Sequence, residues 1–84
     1  MTKQEKVVQL ILDERVRQDE KWGTDRSGGF YTRWLTILVE EVGEVAEAIL
    51  EAPHYPGLGD KDVRAELVQV AAVAMAALEF GGQI

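Results

Sequence analysis

The fold is decided by residues 39–50, whose sequence is VEEVGEVAEAIL. Four glutamates lie here among apolar residues, and their spacing predicts a helix. Successive residues of a helix are about 100° apart, so Glu41 and Glu44 lie on neighbouring ridges of one face. Like charges at this spacing repel each other by roughly a few tenths of a kcal/mol per pair. The glutamates therefore either point into water or share cations between them.

Helical periodicity predicts three helices in a single domain, residues 1–84. The predicted bounds are Lys3 to Lys21, Thr32 to Glu51, and Asp60 or Asp62 to about Phe80. Thr2 and Glu5 form a candidate capping box before the first helix, and Gly23 is a candidate left-handed cap after it. Loops containing glycine or proline are expected between the helices.

Apolar stripes suggest how these helices pack. They consist of Val8, Ile11, Leu12 and Val16 in the first helix, and of Leu35, Leu38, Val42, Val45 and Ile49 in the second. The third helix is apolar on nearly all sides from Leu67 to Leu78, so neighbours should surround it. Two partner helices from so small a chain cannot enclose it. We therefore expect an all-α fold of three main helices, forming a helical bundle completed by oligomerisation.

The length and composition of the chain also indicate self-association. A chain of 84 residues buries only about 60–65% of its unfolded surface, so a monomer would be marginally stable. The absence of cysteine excludes disulfides, and a single histidine argues against a zinc site. Self-association is the remaining way to enlarge the core, and we expect a homodimer or homotetramer.

The charge balance excludes two classes of partner. The net charge is −6, and the sequence pI is about 4.6. Nucleic acid and anionic membrane surfaces are therefore not expected as partners. The longest apolar run has nine residues, far fewer than the ~20 that span a bilayer. With no signal peptide recognised at the N-terminus, a cytoplasmic protein is expected.

A second pair of candidate oxygen ligands lies at the start of the third predicted helix. Glu66 and Gln69 are three residues apart and share a face. If the second and third helices pack antiparallel, Glu41 and Glu44 face this pair. Buried carboxylates need a cation, and oxygen ligands without thiols or paired imidazoles favour Mg²⁺ or Mn²⁺. Since Mg²⁺ is commonly held by carboxylates and substrate phosphates, a nucleotide polyphosphate is the expected ligand.

These residues resemble a known family. The segments EVGE at 41–44 and ELVQ at 66–69 are similar to the E-x-x-E…E-x-x-D pattern of the MazG-like all-α NTP pyrophosphatases. The upstream segment RQDEKWG at 17–23 and the segment ELVQVAAVA at 66–74 resemble compact MazG-like proteins of phages, mobile elements and bacteria. The resemblance covers the chain from about Glu14 to Glu79.

The resemblance implies a helical subunit that dimerises, often with pairing of dimers into tetramers. It also implies Mg²⁺-dependent hydrolysis of an NTP or dNTP to the monophosphate and pyrophosphate, as in house-cleaning of non-standard nucleotides. Matched by position, the metal ligands are Glu41, Glu44 and Glu66, with Gln69 in the fourth position. Glu41 or Glu44 is the expected catalytic base for the attacking water.

Candidate substrate-binding residues lie outside this motif. The cations Lys21, Arg33 and Lys61 are candidates to meet the terminal phosphates, and solvated surface charge is the alternative for each. Trp22 and Trp34 are candidates to stack on the base. For Trp34 the alternative is core packing.

Gln69 departs from the family pattern, which has aspartate there. An amide oxygen coordinates Mg²⁺ but carries no charge, so a metal would bind more weakly or one of two metals would be lost. Glu40 or Glu47 could supply the missing charge. The alternative function is therefore a catalytically weak or inactive MazG-like oligomer that acts as a nucleotide- or protein-binding module.

Overall fold

A computed structural model describes residues 1–23, 31–51 and 62–80. Within these residues the chain is all-helical, and it contains no strand. The helices are α1 (Lys3–Trp22), α2 (Tyr31–Glu51) and α3 (Val63–Phe80). The predicted all-α class and all three helices are confirmed, with bounds that shift by less than one turn. Residues 24–30 and 52–61, which include most of the two predicted loops and the candidate phosphate ligand Lys61, lie outside the described residues.

Local capping explains where α1 begins and ends. The Thr2 hydroxyl accepts a hydrogen bond from the Glu5 N–H at 3.1 Å, and the Thr2 N–H donates to the Glu5 carboxylate at 3.0 Å, which confirms the capping box. After α1, Gly23 has a φ of 83° and a ψ of 167°. The positive φ requires glycine, but the ψ is extended rather than left-handed helical, so the predicted left-handed cap is wrong in that detail.

Asp62 fixes the start of α3. Its carboxylate accepts a hydrogen bond from the Arg64 N–H at 2.9 Å, and its carbonyl accepts one from the Glu66 N–H at 3.0 Å. An aspartate at this position satisfies amides that the first helical turn leaves unpaired. Glu66 is thereby held in the first turn of α3.

Helix α3 packs against both α1 and α2. The core consists of Trp34, Val73 and Ala76, and partly buried Ile37, Leu38, Ala77 and Phe80 pack around it. Trp34 is 5% exposed, and its ring stacks on that of Phe80 with centroids 6.4 Å apart. The start of α2 therefore lies beside the end of α3, and the two helices are antiparallel, as expected. Trp34 is a core residue, so the base-stacking alternative for it is wrong.

A polar contact holds α1 against α3. The buried Arg15 guanidinium donates to the Glu79 carboxylate at 2.8 Å and lies 5.8 Å from the centre of the Phe80 ring. The other buried residue of α1 is Gln18. These polar side chains, and not the apolar stripe, face the body of the chain.

The predicted apolar stripes are buried only in part: Ile11, Leu38 and Val45 are partly buried, and Leu38 packs against the core. Large apolar side chains of both stripes are between 44% and 60% exposed, namely Val8, Leu12, Val16, Leu35, Val42 and Ile49. The reason is geometric: α3 covers the faces of α1 and α2 that carry Gln18 and Ala48, and each stripe lies to one side. None of the described helices is long and apolar enough to cross a membrane.

Candidate functional site

Three carboxylates converge between α2 and α3. Glu41 and Glu44 of α2 and Glu66 of α3 each offer one oxygen, and these oxygens lie within 4.8 Å of one another. Glu66 is 9% exposed, while Glu41 and Glu44 are half-buried. The convergence follows from the three-residue spacing on α2, the antiparallel packing and the place of Glu66 in the first turn of α3. We call these three residues the carboxylate cluster.

The surroundings of Glu41 disfavour its charged form. Burial raises the pKa of Glu41, and the negative charges of Glu44, Glu14 and Glu40 raise it further, whereas the positive charge of Arg17 lowers it. The buried Oε2 atom of Glu41 has no hydrogen-bond partner among the described residues. A buried carboxylate oxygen in this state is stabilised by a proton or by a cation.

Gln69 lies on the next turn of α3 after Glu66 and is half-buried. It offers one neutral oxygen on that side of the helix. Glu40 and Glu47, the predicted substitutes for the missing aspartate charge, are both exposed on α2. They lie outside the group of three converging carboxylates.

A polar ridge on α1 adds groups that the sequence pattern did not predict. Arg17 binds the Glu14 carboxylate through Nε at 2.8 Å and through Nη2 at 2.6 Å. The buried Gln18 donates to the same carboxylate at 3.2 Å. These hydrogen bonds, those from Arg17 above all, lower the pKa of Glu14. We call Glu14, Arg17 and Gln18 the α1 ridge.

The spacing of the α1 ridge residues in the sequence could have predicted that they share one face of the helix. Positions 14, 17 and 18 follow the helical i, i+3, i+4 pattern, and the matched segment begins at about Glu14. The apolar stripe is the more prominent pattern in α1, but periodicity alone does not show which face of a helix a neighbour covers.

Three of the predicted substrate-binding residues lie in the described part of the chain, namely Lys21, Trp22 and Arg33. Lys21 lies with its ammonium 4.8 Å from the centre of the Trp22 ring, and its charge lowers the pKa of Glu14, which places it towards the α1 ridge. Trp22 is 52% exposed. Arg33 is exposed and lies eight residues before Glu41, which is about 12 Å along the axis of α2. It is therefore not beside the carboxylate cluster.

The chemistry of the donor set fits a hard divalent cation. All three ligand atoms are carboxylate oxygens, the type that Mg²⁺ and Mn²⁺ prefer. The Oε2 atom of Glu41 has no hydrogen-bond partner among the described residues, and burial and nearby negative charge raise the pKa of Glu41. A cation between α2 and α3 would offset this negative charge.

Fold and cluster together define the class of protein: an all-helical chain with three carboxylates gathered between two antiparallel helices. Comparison of the chain with protein-family models, curated proteins and solved structures gives no match. The resemblance to MazG-like proteins therefore depends on the motif spacing, and the function below depends on the geometry of the site.

Proposed function

We propose that the chain is a Mg²⁺-dependent nucleoside triphosphate pyrophosphohydrolase of the MazG-like type. It would convert an NTP or dNTP to the monophosphate and pyrophosphate and so remove unwanted nucleotides in the cytoplasm. The observation that carries this proposal is the convergence of Glu41, Glu44 and Glu66 from two helices within 4.8 Å. These are the residues that match the metal ligands of the family pattern.

Each residue of the site has a distinct task in this proposal. Glu66 is buried and held by the capped first turn of α3, so it provides the fixed ligand. Glu44 and Glu41 complete the acidic set, and Gln69 offers a neutral oxygen. When bound, the metal ion supplies charge neutralisation at the phosphates and lowers the pKa of water. Mn²⁺ has the same ligand preference and could replace Mg²⁺.

Glu41 and Glu44 are the two predicted catalytic bases. The half-buried Glu41 has an Oε2 atom with no hydrogen-bond partner among the described residues, so that oxygen is available to accept a proton. Glu41 would accept the proton of the water that attacks the α-phosphorus. On the substrate side, the exposed Trp22 is available to stack on the base, and Lys21, with its ammonium 4.8 Å from the centre of the Trp22 ring, would meet the phosphates.

The direct test is release of pyrophosphate from a panel of NTPs and dNTPs with Mg²⁺ and with Mn²⁺. We expect Glu44→Gln and Glu66→Gln to abolish both activity and Mg²⁺ binding measured by calorimetry. Glu51→Gln is the matched control, because Glu51 is an exposed glutamate at the end of the same helix as Glu44. Failure of every substrate to yield pyrophosphate, or full activity in Glu44→Gln, would refute the proposal.

A second candidate function is favoured by Gln69 and by the exposed apolar stripes. In this alternative the chain is a weak or inactive homodimer or homotetramer that binds a nucleotide or a protein. Metal-dependent binding of a non-hydrolysable nucleotide without turnover would support it. Gln69→Asp separates the two candidates further, since a gain in turnover would identify the missing charge as the weak point of an enzyme.

A further inference from the structure

Helix α1 extends beyond the helix on which it packs. The Arg15 guanidinium contacts Glu79 and lies over the ring of Phe80, in the last turn of α3. Every residue from 1 to 10 is exposed, and the buried residues of α1 lie at Arg15 or after it. The part of α1 that precedes Arg15 therefore projects past the end of α3, by about 18 Å at the usual rise of a helix. We call residues 1–12 the α1 arm.

The face with which α1 contacts α3 continues onto the arm. Val8 precedes Arg15 by seven residues, or about two helical turns, so the two side chains lie on one face. Val7 precedes the buried Gln18 by eleven residues, or about three turns, and lies in line with it. Val7 and Val8 are 46% and 44% exposed. The arm therefore presents an apolar surface that the described part of this chain leaves largely uncovered.

A longer apolar surface is exposed on α2. Four side chains spaced by four, three and seven residues lie along one side of this helix, namely Leu35, Val39, Val42 and Ile49. They are between 51% and 60% exposed. Helix α1 packs against α3 and not against α2, so the arm does not cover this surface within the same chain. We call these four residues the α2 apolar face.

Charge favours the α1 arm as the partner of the α2 apolar face. Helix α2 carries five glutamates and one arginine, whereas the arm carries Lys3 and Lys6 with one glutamate. Three of the α2 glutamates are exposed, namely Glu40, Glu47 and Glu51. Two α2 helices packed on each other would bring like charges together, whereas the arm brings charge of the opposite sign. The lengths match as well, because the face spans about 21 Å along α2.

The chain exposes more surface than a compact monomer of its size. Its accessible surface is 6215 Å², whereas a compact monomer of 9.3 kDa exposes only about 5,000 Å². The difference of about 1,200 Å² exceeds the ~800 Å² that each partner buries in an interface of standard size. Exchange of arms between two copies would bury surface twice in each copy, on the arm and on the α2 apolar face.

We propose that two copies of the chain exchange arms, so that the α1 arm of each copy packs on the α2 apolar face of the other. The partner is a second copy because one chain carries both complementary surfaces and holds them apart. The two contacts are equivalent, so the pair closes about a two-fold axis and covers all four surfaces. The inference goes beyond the proposed function and does not depend on it.

Disulfide trapping tests the contact directly, because the chain has no cysteine of its own. The full chain carrying Val8→Cys is mixed in turn with the full chain carrying Leu35→Cys, Val42→Cys or Ile49→Cys, and each mixture is mildly oxidised. A mass tag on one variant of each mixture identifies mixed dimers, which we expect for at least one α2 position. Leu10→Cys is the matched control, since Leu10 is 45% exposed and lies on the opposite side of α1 from Val8. It should give several-fold fewer mixed dimers.

Sedimentation equilibrium gives a second measurement. We expect the unmodified chain to be a dimer, and Val8→Asp and Val42→Asp to be monomers at the same concentration, because each places a charge in an apolar contact that occurs twice per dimer. Far-UV circular dichroism should show unchanged helix content, since both side chains are exposed in the single chain. The double variant Lys3→Glu, Lys6→Glu should raise the dimer dissociation constant by about tenfold.

Three results would overturn the proposal. The first is an unmodified chain that stays monomeric at every concentration tested. The second is trapping of Val8→Cys or Val42→Cys with itself in preference to the mixed pair, which would show that arm packs on arm or α2 on α2. The third is equal trapping of Leu10→Cys and Val8→Cys with the α2 positions, which would show that the arm has no preferred face.

Discussion

The substitution Glu41→Gln should stabilise the metal-free protein, although it removes a candidate metal ligand. Burial and the charges of Glu44, Glu14 and Glu40 raise the pKa of Glu41, so the ionised side chain is less stable in the folded chain than in the unfolded one. Glutamine has nearly the same shape and no charge. It therefore removes the unfavourable charge and keeps the side-chain volume.

The separation of the cluster oxygens sets the size of the effect. At the 4.8 Å limit of the cluster, two unit charges repel by about 0.9 kcal/mol in water and by about 3.5 kcal/mol at an effective dielectric constant of 20. Glu41 is half-buried and Arg17 offsets part of the repulsion, so the lower half of this range applies. We expect the free energy of unfolding to rise by about 1–2 kcal/mol, and the melting temperature by about 4–16 °C for a chain of this length.

The effect should depend on pH in a defined direction. Because the folded pKa of Glu41 lies above its ordinary value of 4.5, the protonated carboxyl favours the folded state. Its contribution is fully present below that ordinary value and is lost as the pH rises through the folded pKa. The stability gap between Glu41→Gln and the unmodified chain should therefore be small in acid and widen towards neutral pH.

Thermal and urea unfolding, followed by far-UV circular dichroism, measure this gap with EDTA and with excess Mg²⁺. Mg²⁺ should stabilise the unmodified chain and should have little effect on Glu41→Gln. The control Glu51→Gln removes a charge at the exposed end of α2 and should change stability by only about 0.3–1 kcal/mol through the helix dipole. If Glu41→Gln is no more stable than the unmodified chain in EDTA at neutral pH, repulsion within the cluster has been misjudged.

Other parts of the fold give three further expectations. Trp34→Ala should lower the free energy of unfolding by about 3 kcal/mol or more in urea titrations, because Trp34 is the largest side chain of the core. Trp22→Ala should change the free energy of unfolding little, because Trp22 is exposed, and should weaken nucleotide binding. Gly43→Ala should raise the free energy of unfolding by about 1 kcal/mol, since a Cβ there meets nothing within 4 Å in the single chain. A decrease in the free energy of unfolding would indicate that another helix packs against Gly43. The melting temperature should rise with protein concentration because Leu35 and Val42 are exposed, and a monomer mass in sedimentation with a constant melting temperature would contradict self-association.

The sequence alone was sufficient to predict the helices and the acidic cluster. Both depend on spacing: apolar periodicity identifies a helix, and glutamates three residues apart share a face whatever the helix packs against. With α2 and α3 antiparallel, Glu66 can lie opposite Glu41 and Glu44, although antiparallel packing alone does not fix the register of the two helices. The predicted convergence of these three residues needed no knowledge of side-chain conformations.

Packing between helices was predicted less well, and α1 shows why. Its apolar stripe suggested a buried face, but the buried residues are Arg15 and Gln18, whose charged or polar ends are bound by Glu79 and Glu14. Periodicity shows that a helix has an apolar face without showing which neighbour covers it. Arg15 contacts Glu79 of α3, and most of the large apolar side chains of the α1 stripe are exposed in the single chain.

Gln69 has a physical consequence that follows from the same electrostatics. The two ends of the α2–α3 contact differ, because Trp34 and Phe80 stack at one end while like charges meet at the other. An aspartate in place of Gln69 would add a fourth negative charge one turn from Glu66 and would lower the stability of the metal-free protein. Glutamine keeps an oxygen on that side of α3 without the added repulsion, at the expense of attraction for a cation. Gln69→Asp should therefore bind Mg²⁺ more tightly and be less stable in EDTA, and a variant that gains affinity without losing stability would show that Gln69 lies outside the field of the cluster.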